Sequence, residues 1–273
     1  MTTHPTPTLL QRGRIEREGE SIYYELATRG EDDHRPVVVL SHGAGGSHAV
    51  WFHQVLPLGE RFRVLTWDSR GFGNSTFAGG SLSVAAAVGD LAAVLDAIGL
   101  AADEAVHLVG QSMGGWWSVG FALAHPHRVR SLTLSDTPGG VWTEALRGHF
   151  RTARPGRLTS DVVGVHQALG ATTMRERPAQ AFLYQQLGSF FTPPMGAVGK
   201  MLAEVEVDPA AVRAVGCPLL VVAGEEDAIF PAAGLKGLAD VLGARYVELA
   251  GAGHSPYFES PDAYNEALLD FLV

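Results

Sequence analysis

Disulfides, long apolar runs and dense positive charge are all missing from this chain, and each absence narrows what it can be. One cysteine, Cys217, among 273 residues excludes an intramolecular disulfide. Set between Gly216 and Pro218, it reads as an inert buried thiol. No stretch approaches the ~18 consecutive apolar residues of a membrane span. Residues 1–14 are polar and lack the apolar centre of a signal peptide, so a cytoplasmic protein with no membrane partner is expected. A formal net charge of −9, with no compact Lys/Arg patch against it, argues against a nucleic-acid partner. His-Glu-x-x-His and Cys-x-x-Cys spacings are absent, as are the phosphate-loop pattern and the Gly-x-Gly-x-x-Gly fingerprint. Neither a metal nor a nucleotide cofactor is therefore expected.

What remains is an ordinary globular composition, 46% hydrophobic and 18% charged. Short β-branched runs alternate with helical stripes, the pattern of an α/β protein with a mostly parallel sheet. Residues 15–16 and 21–26 read as an opening hairpin around Glu18-Gly19-Glu20. Runs at 37–41, 63–67, 105–109, 131–135, 219–223 and 246–249 read as further strands. Residues 81–98 carry apolar side chains at helical spacing, with Ser81 or Ser83 as the cap and Gly99 as the stop. Helices are also expected over 116–124 and 261–273. The stretch 137–213 breaks the rhythm: it carries Pro138, Pro155, Pro178, Pro193 and Pro194 and helical patches but no convincing central strand, and a structureless loop of that length is implausible. The expected organisation is a core of residues 1–136 and 214–273 and a helical cap over 137–213, inserted after the sixth core strand.

The densest chemistry lies at Gly110-Gln111-Ser112-Met113-Gly114, directly after an apolar strand and before a helix. A serine on so sharp a turn has strained dihedrals, and small neighbours relieve the crowding, leaving its hydroxyl exposed at the carboxyl edge of a sheet. A serine nucleophile requires a base, an acid to orient it, and donors for an oxyanion. His254, in the glycine-rich Gly251-Ala252-Gly253-His254 after the last strand, is the base candidate among 11 histidines. His4, His34, His149 and His166 look ordinary, and His125 and His127 suit a helix end. Asp227, just past a strand, is the preferred acid; Asp136 in Ser135-Asp136-Thr137-Pro138 is its rival, with a turn role as the alternative. The oxyanion donors are expected to be the N–H groups of Ala44, in Ser41-His42-Gly43-Ala44-Gly45-Gly46, and of Met113. His42 is read as a hydrogen bonder beneath that loop. Asp68 and Arg70, in Trp67-Asp68-Ser69-Arg70-Gly71, are read as fixing a loop through an ion pair or turn.

Four motifs in this order resemble the α/β-hydrolase fold superfamily: His42-Gly43 with its glycines, Asp68-x-Arg70-Gly71-x-Gly73-x-Ser75, Gly110-x-Ser112-x-Gly114-Gly115 and Gly253-His254. The resemblance implies an eight-stranded, mostly parallel sheet flanked by helices, its second strand reversed, with a cap over the carboxyl edge. It also implies Asp227 as the usual acid position, although some branches use the strand that ends at Asp136. Aspartate-nucleophile relatives are disfavoured by Ser112. Meta-cleavage C–C hydrolases commonly carry tryptophan after the catalytic histidine, where this chain has Ser255. The expected activity is a serine hydrolase of a small or medium carboxylic ester or lactone, acting through an acyl-enzyme as a monomer or homodimer. The alternatives are a C–C hydrolase, a cofactor-free haloperoxidase or perhydrolase, and a ligand-binding sensor with little turnover. Trp142 in the cap is the expected pocket-lining residue.

Overall fold

In the computed structural model, which describes residues 8–78, 82–152 and 161–273, the strands are β1 (Leu9–Arg17), β2 (Glu20–Thr28), β3 (Val37–Ser41), β4 (Arg63–Trp67), β5 (Val106–Gln111), β6 (Val129–Ser135), β7 (Leu219–Gly224) and β8 (Arg245–Leu249). They form one eight-stranded sheet in the order β1-β2-β4-β3-β5-β6-β7-β8. β2 pairs antiparallel with both β1 and β4, and the pairs from β4 through β8 are parallel. Every residue of Val37-Val38-Val39-Leu40-Ser41 is buried, because helices cover both faces of a central parallel strand.

The opening hairpin is longer than its apolar pattern suggests, reaching from Leu9 to Thr28. Glu18 and Gly19 both have positive φ, 54° and 78°, the two-residue turn whose twist matches paired strands. β1 is an edge strand carrying Arg12, Arg14, Glu16 and Arg17, and such charge discourages pairing with another chain. It opens on two exposed leucines, Leu9 and Leu10, and continues mainly polar, so no hydrophobic alternation marks its start.

The helices are α1 (Phe52–Leu58), α2 (Val84–Ala97), α3 (Met113–Ala124), α4 (Glu144–Thr152), α5 (Ala171–Glu176), α6 (Pro178–Leu187), α7 (Met195–Ala203), α8 (Pro209–Ala214), α9 (Ala232–Leu242), α10 (Pro256–Glu259) and α11 (Pro261–Leu272). Leu91, Val94, Trp117, Phe121, Leu235 and Leu238 of α2, α3 and α9 fill the core on one face. Leu58, Phe258, Tyr264 and Leu268 of α1, α10 and α11 fill the other. Ser83 caps α2, its Oγ accepting from the Ala86 N–H at 3.1 Å; Ser81, the other candidate, lies outside the described residues. Cys217 is half-buried rather than enclosed, and burial raises its thiol pKa. No helix among the described residues is long and apolar enough to cross a membrane.

Between β6 and β7 the described chain supplies α4 to α8 and no strand of the sheet. Parallel register brings the strand ends level: Ser41 pairs with Gly110, Gln111 with Ser135, and Ser135 with Val222. The loops that follow β3, β5, β6, β7 and β8 therefore open on one edge, which is where ligands bind in open α/β sheets.

Candidate active site

Ser112 joins β5 to α3 with φ 47° and ψ −120°, a conformation that costs a non-glycine residue about 1–3 kcal/mol. Its neighbours Gln111 and Met113 are buried, while Ser112 itself is only partly so. The turn closes around backbone. A Cβ on Gly114 would strike the Ser41 carbonyl, and one on Gly110 would strike the Gly114 carbonyl, so only glycine fits either place. Ser112 N–H donates to the Ser135 carbonyl at 3.0 Å, which fixes the turn to β6.

Across the edge, His254 Nδ1 lies 2.8 Å from Asp227 Oδ2, with both residues buried. The carboxylate fixes the imidazole tautomer: the proton sits on Nδ1 and leaves Nε2 able to accept. Asp227 is itself held, since Oδ1 accepts from the N–H groups of Ile229 at 2.7 Å and Phe230 at 3.0 Å. Gln111, directly before Ser112, donates from Nε2 to the His254 carbonyl at 2.7 Å and so ties the histidine loop to the serine turn. That tie spans 143 residues of chain.

Asp136 stands beside this pair. It is fully buried at φ 50°; its Oδ1 accepts from Gly224 N–H at 2.8 Å and its Oδ2 from Ser135 Oγ at 3.0 Å. It does not form the local turn expected of an aspartate before Thr-Pro, because its carboxyl is spent on β7 instead. Burial, reinforced by the Asp227 charge, pushes its carboxyl well above the usual range. Asp136, Asp227 and His254 place one potential ligand atom each within 4.8 Å of one another, close enough to suit a cation. All four carboxyl oxygens, however, already face an N–H or O–H group, which makes a hydrogen-bonded acid pair the better description.

On the other side of Ser112, the His42 loop follows β3. His42 Nε2 accepts from Ser69 N–H at 3.0 Å and Nδ1 lies 2.8 Å from the Gly43 carbonyl. Burial lowers its pKa, so it is a neutral support for this loop. Asp68 and Arg70 do not pair with each other. Arg70 makes a bidentate contact with Asp90, at 2.6 and 2.7 Å, and reaches Glu18. Asp68 accepts from the backbone of His48 and Asn74 and holds the loop after β4.

A small cavity of about 20 Å³ opens beside Ala44, lined also by Gly45, Gly46, Val50, His166, Tyr184, Gly188, Phe191 and Met195. Trp142 is not in this wall. Its ring packs 6.3 Å from Phe230, whose own ring is 5.7 Å from His254, so Trp142 sits one ring removed from the imidazole. Phe182 and Phe190 are exposed, and Trp117 is buried in the core.

The helical insertion is fastened to the same loops. Glu226 accepts from Thr172 through both N–H and Oγ, and Glu259 accepts from the N–H groups of Gly170 and Gly253 at 2.7 and 2.9 Å. Tyr184 Oη and Ser255 Oγ are 2.7 Å apart. On the far side, Gly73 N–H donates to Phe190 and Thr192 N–H to Gly71. Reasoning from sequence misses Gln111, Glu259 and the cavity position of His166. A carboxylate in the apolar segment Tyr257-Phe258-Glu259 is a visible signal for the second of these; His166 has none.

A model of the alpha/beta hydrolase fold matches residues 36–261. A protein of Caulobacter sp. (strain K31), named provisionally as carbamate hydrolase RutD, is 29% identical over 93% of this chain and 96% of its own. The pimeloyl-acyl-carrier-protein methyl ester esterase of Aeromonas hydrophila is 31% identical over 87% and 95%. The crystal structure of the enol-lactonase from Burkholderia xenovorans LB400 superposes with a TM-score of 0.77 at 25% identity, covering 95% of this chain and 99% of that one.

Proposed function

Because the chain belongs to the α/β-hydrolase fold family and is a hydrolase, we propose that it cleaves a small or medium carboxylic ester or lactone through an acyl-enzyme formed on Ser112. Ser112 Oγ attacks the carbonyl while His254 Nε2 takes its proton. Asp227 keeps the proton of the ring on Nδ1 and stabilises the imidazolium that forms. Met113 is the first residue of α3, so its N–H has no partner within the helix and is available to an oxyanion. With the Ala44 N–H it makes the proposed oxyanion site, each donor contributing about 3–4 kcal/mol. Water, deprotonated by the same histidine, then releases the acyl group. Residues 137–213 act as the cap that shapes the acyl site.

The observation that carries this reading is the strained backbone of Ser112, a stored cost that makes sense where the position of the hydroxyl matters. Hydrolysis of p-nitrophenyl acetate and butyrate tests it. Steady release is expected from the wild type, with a burst near one equivalent per chain and loss of both in Ser112→Ala. Binding of esters and lactones without turnover would overturn the reading. A carbamate turned over faster than its matched ester would move the substrate to the class named for the Caulobacter relative and leave the residue roles intact.

A further inference from the structure

His166 is a buried imidazole that the chemistry above does not use. It precedes α5 in the helical insertion, is 7% exposed, and lines the cavity that begins at Ala44. Its Nδ1 accepts from the Ala168 N–H at 3.1 Å, so the ring proton sits on Nε2. Burial, with the nearby His254 charge, lowers its pKa to about 4, and the ring is therefore neutral at ordinary pH. The ring is held edge-on to Tyr184, 5.0 Å between centroids, and Tyr184 in turn is fixed by Ser255. Among the described residues no protein group accepts from Nε2. The other side chains of the wall are Val50, Phe191 and Met195, none of which can serve as a strong acceptor, and the Tyr184 hydroxyl is engaged with Ser255.

We infer that His166 is a specificity residue whose Nε2–H recognises a neutral acceptor oxygen on the acyl chain, so that the preferred substrates are oxo-substituted acyl esters or lactones rather than plain alkanoates. The inference rests on the proposal that acylation occurs at Ser112, because the cavity starts at the Ala44 oxyanion position. A donor that a bound acyl chain shuts off from water is costly to leave unmet, and a site built around one discriminates against the analogue that lacks the acceptor. A keto oxygen suits a neutral imidazole: it accepts a hydrogen bond and brings no charge into an apolar wall.

The test compares phenyl pentanoate with its 3-oxo and 4-oxo derivatives, reading the ratio of kcat/KM within each protein so that changes common to all esters cancel. At least one oxo ester is expected to be favoured by about tenfold in the wild type, the scale of one good neutral hydrogen bond. His166→Phe should bring the ratio near one, mainly through KM, and His166→Gln, which keeps a donor, should restore part of it. A wild-type ratio near one overturns the inference without any variant, as does a preference that His166→Phe leaves unchanged. Those outcomes leave ester turnover intact and are distinct from failure of the underlying proposal, in which no ester is turned over or Ser112→Ala remains active.

Discussion

The carboxyl edge of the sheet and the helical insertion above it are built in different ways. At the edge, backbone meets backbone: Gly114 lies against the Ser41 carbonyl, Gly110 against the Gly114 carbonyl, and the Ser112 N–H reaches across to β6. The insertion is held by side chains reaching the loops, chiefly Glu226, Glu259 and Tyr184, and its helices leave Phe182, Leu183 and Phe190 exposed. Gly196 and Gly199 of α7 have nothing within reach of a Cβ. An edge set by main-chain contact tolerates no change in the position of the reacting groups. An insertion set by side chains can be re-lined without moving them. That division suits the proposed function, with chemistry at the edge and substrate choice in the insertion.

The largest expected effect separates two neighbouring acids at the edge. Asp227→Asn should lower kcat for an ester by roughly 10⁴, because it loses the charge that fixes and stabilises His254. Asp136→Asn should change kcat by less than tenfold, since an amide replaces a carboxyl whose charged form burial disfavours. Steady-state kinetics on both variants decide the matter, and the reverse ranking would make Asp136 the orienting acid.

A smaller effect, with opposite signs in the two regions, should appear in thermal or urea unfolding. Gly114→Ala forces a methyl into backbone and should cost about 1–3 kcal/mol. Gly196→Ala, in an open stretch of α7, should stabilise by about 0.4–1 kcal/mol through the unfolded chain. Equal effects at the two sites would remove the distinction between edge and insertion.

The smallest effect concerns pH. The raised pKa of Asp136 means that the folded protein binds a proton which the unfolded chain releases above its own value of 3.8. Its contribution to stability is thus fully present below that value and declines as pH rises, by up to about 1.4 kcal/mol per unit. The stability of Asp136→Asn relative to wild type should accordingly increase from pH 4 upward. His166 and His107, both lowered to about 4, act in the other direction: their contribution is intact above the unfolded value of 6.5 and is lost as pH falls towards 4. Denaturant midpoints across pH 4–8 would show whether the Asn variant gains on the wild type.

Much of the edge was legible in sequence because it rests on local requirements. The runs at 37–41 and 63–67 are strands over those same residues, since fully buried parallel strands are continuous apolar stretches. Gly-x-Ser-x-Gly after such a run predicts a sharp turn, and Ser112 has the positive φ of one. Asp227 and His254 follow strand ends, and the structure brings them within hydrogen-bonding distance. Asp136, weighed as a rival, proves to be the neighbour of Asp227 rather than a remote turn residue. What sequence conceals depends on long-range contact. Gln111 meets His254 across the fold, Glu259 reaches Gly170 of the insertion, and His166 differs from other histidines only by what surrounds it. Residue type alone points to Trp142 as pocket-lining, and its neighbours place it behind Phe230 rather than in the cavity wall.

The central claim, that the serine on the strained turn is the nucleophile, is tested most directly by treating the native protein with a fluorophosphonate and mapping the adduct by peptide mass spectrometry. One phosphonyl group per chain on the peptide containing Ser112 is the predicted result, with labelling greatly slowed in His254→Ala. An adduct on another residue, or an intact protein with no adduct, would contradict it.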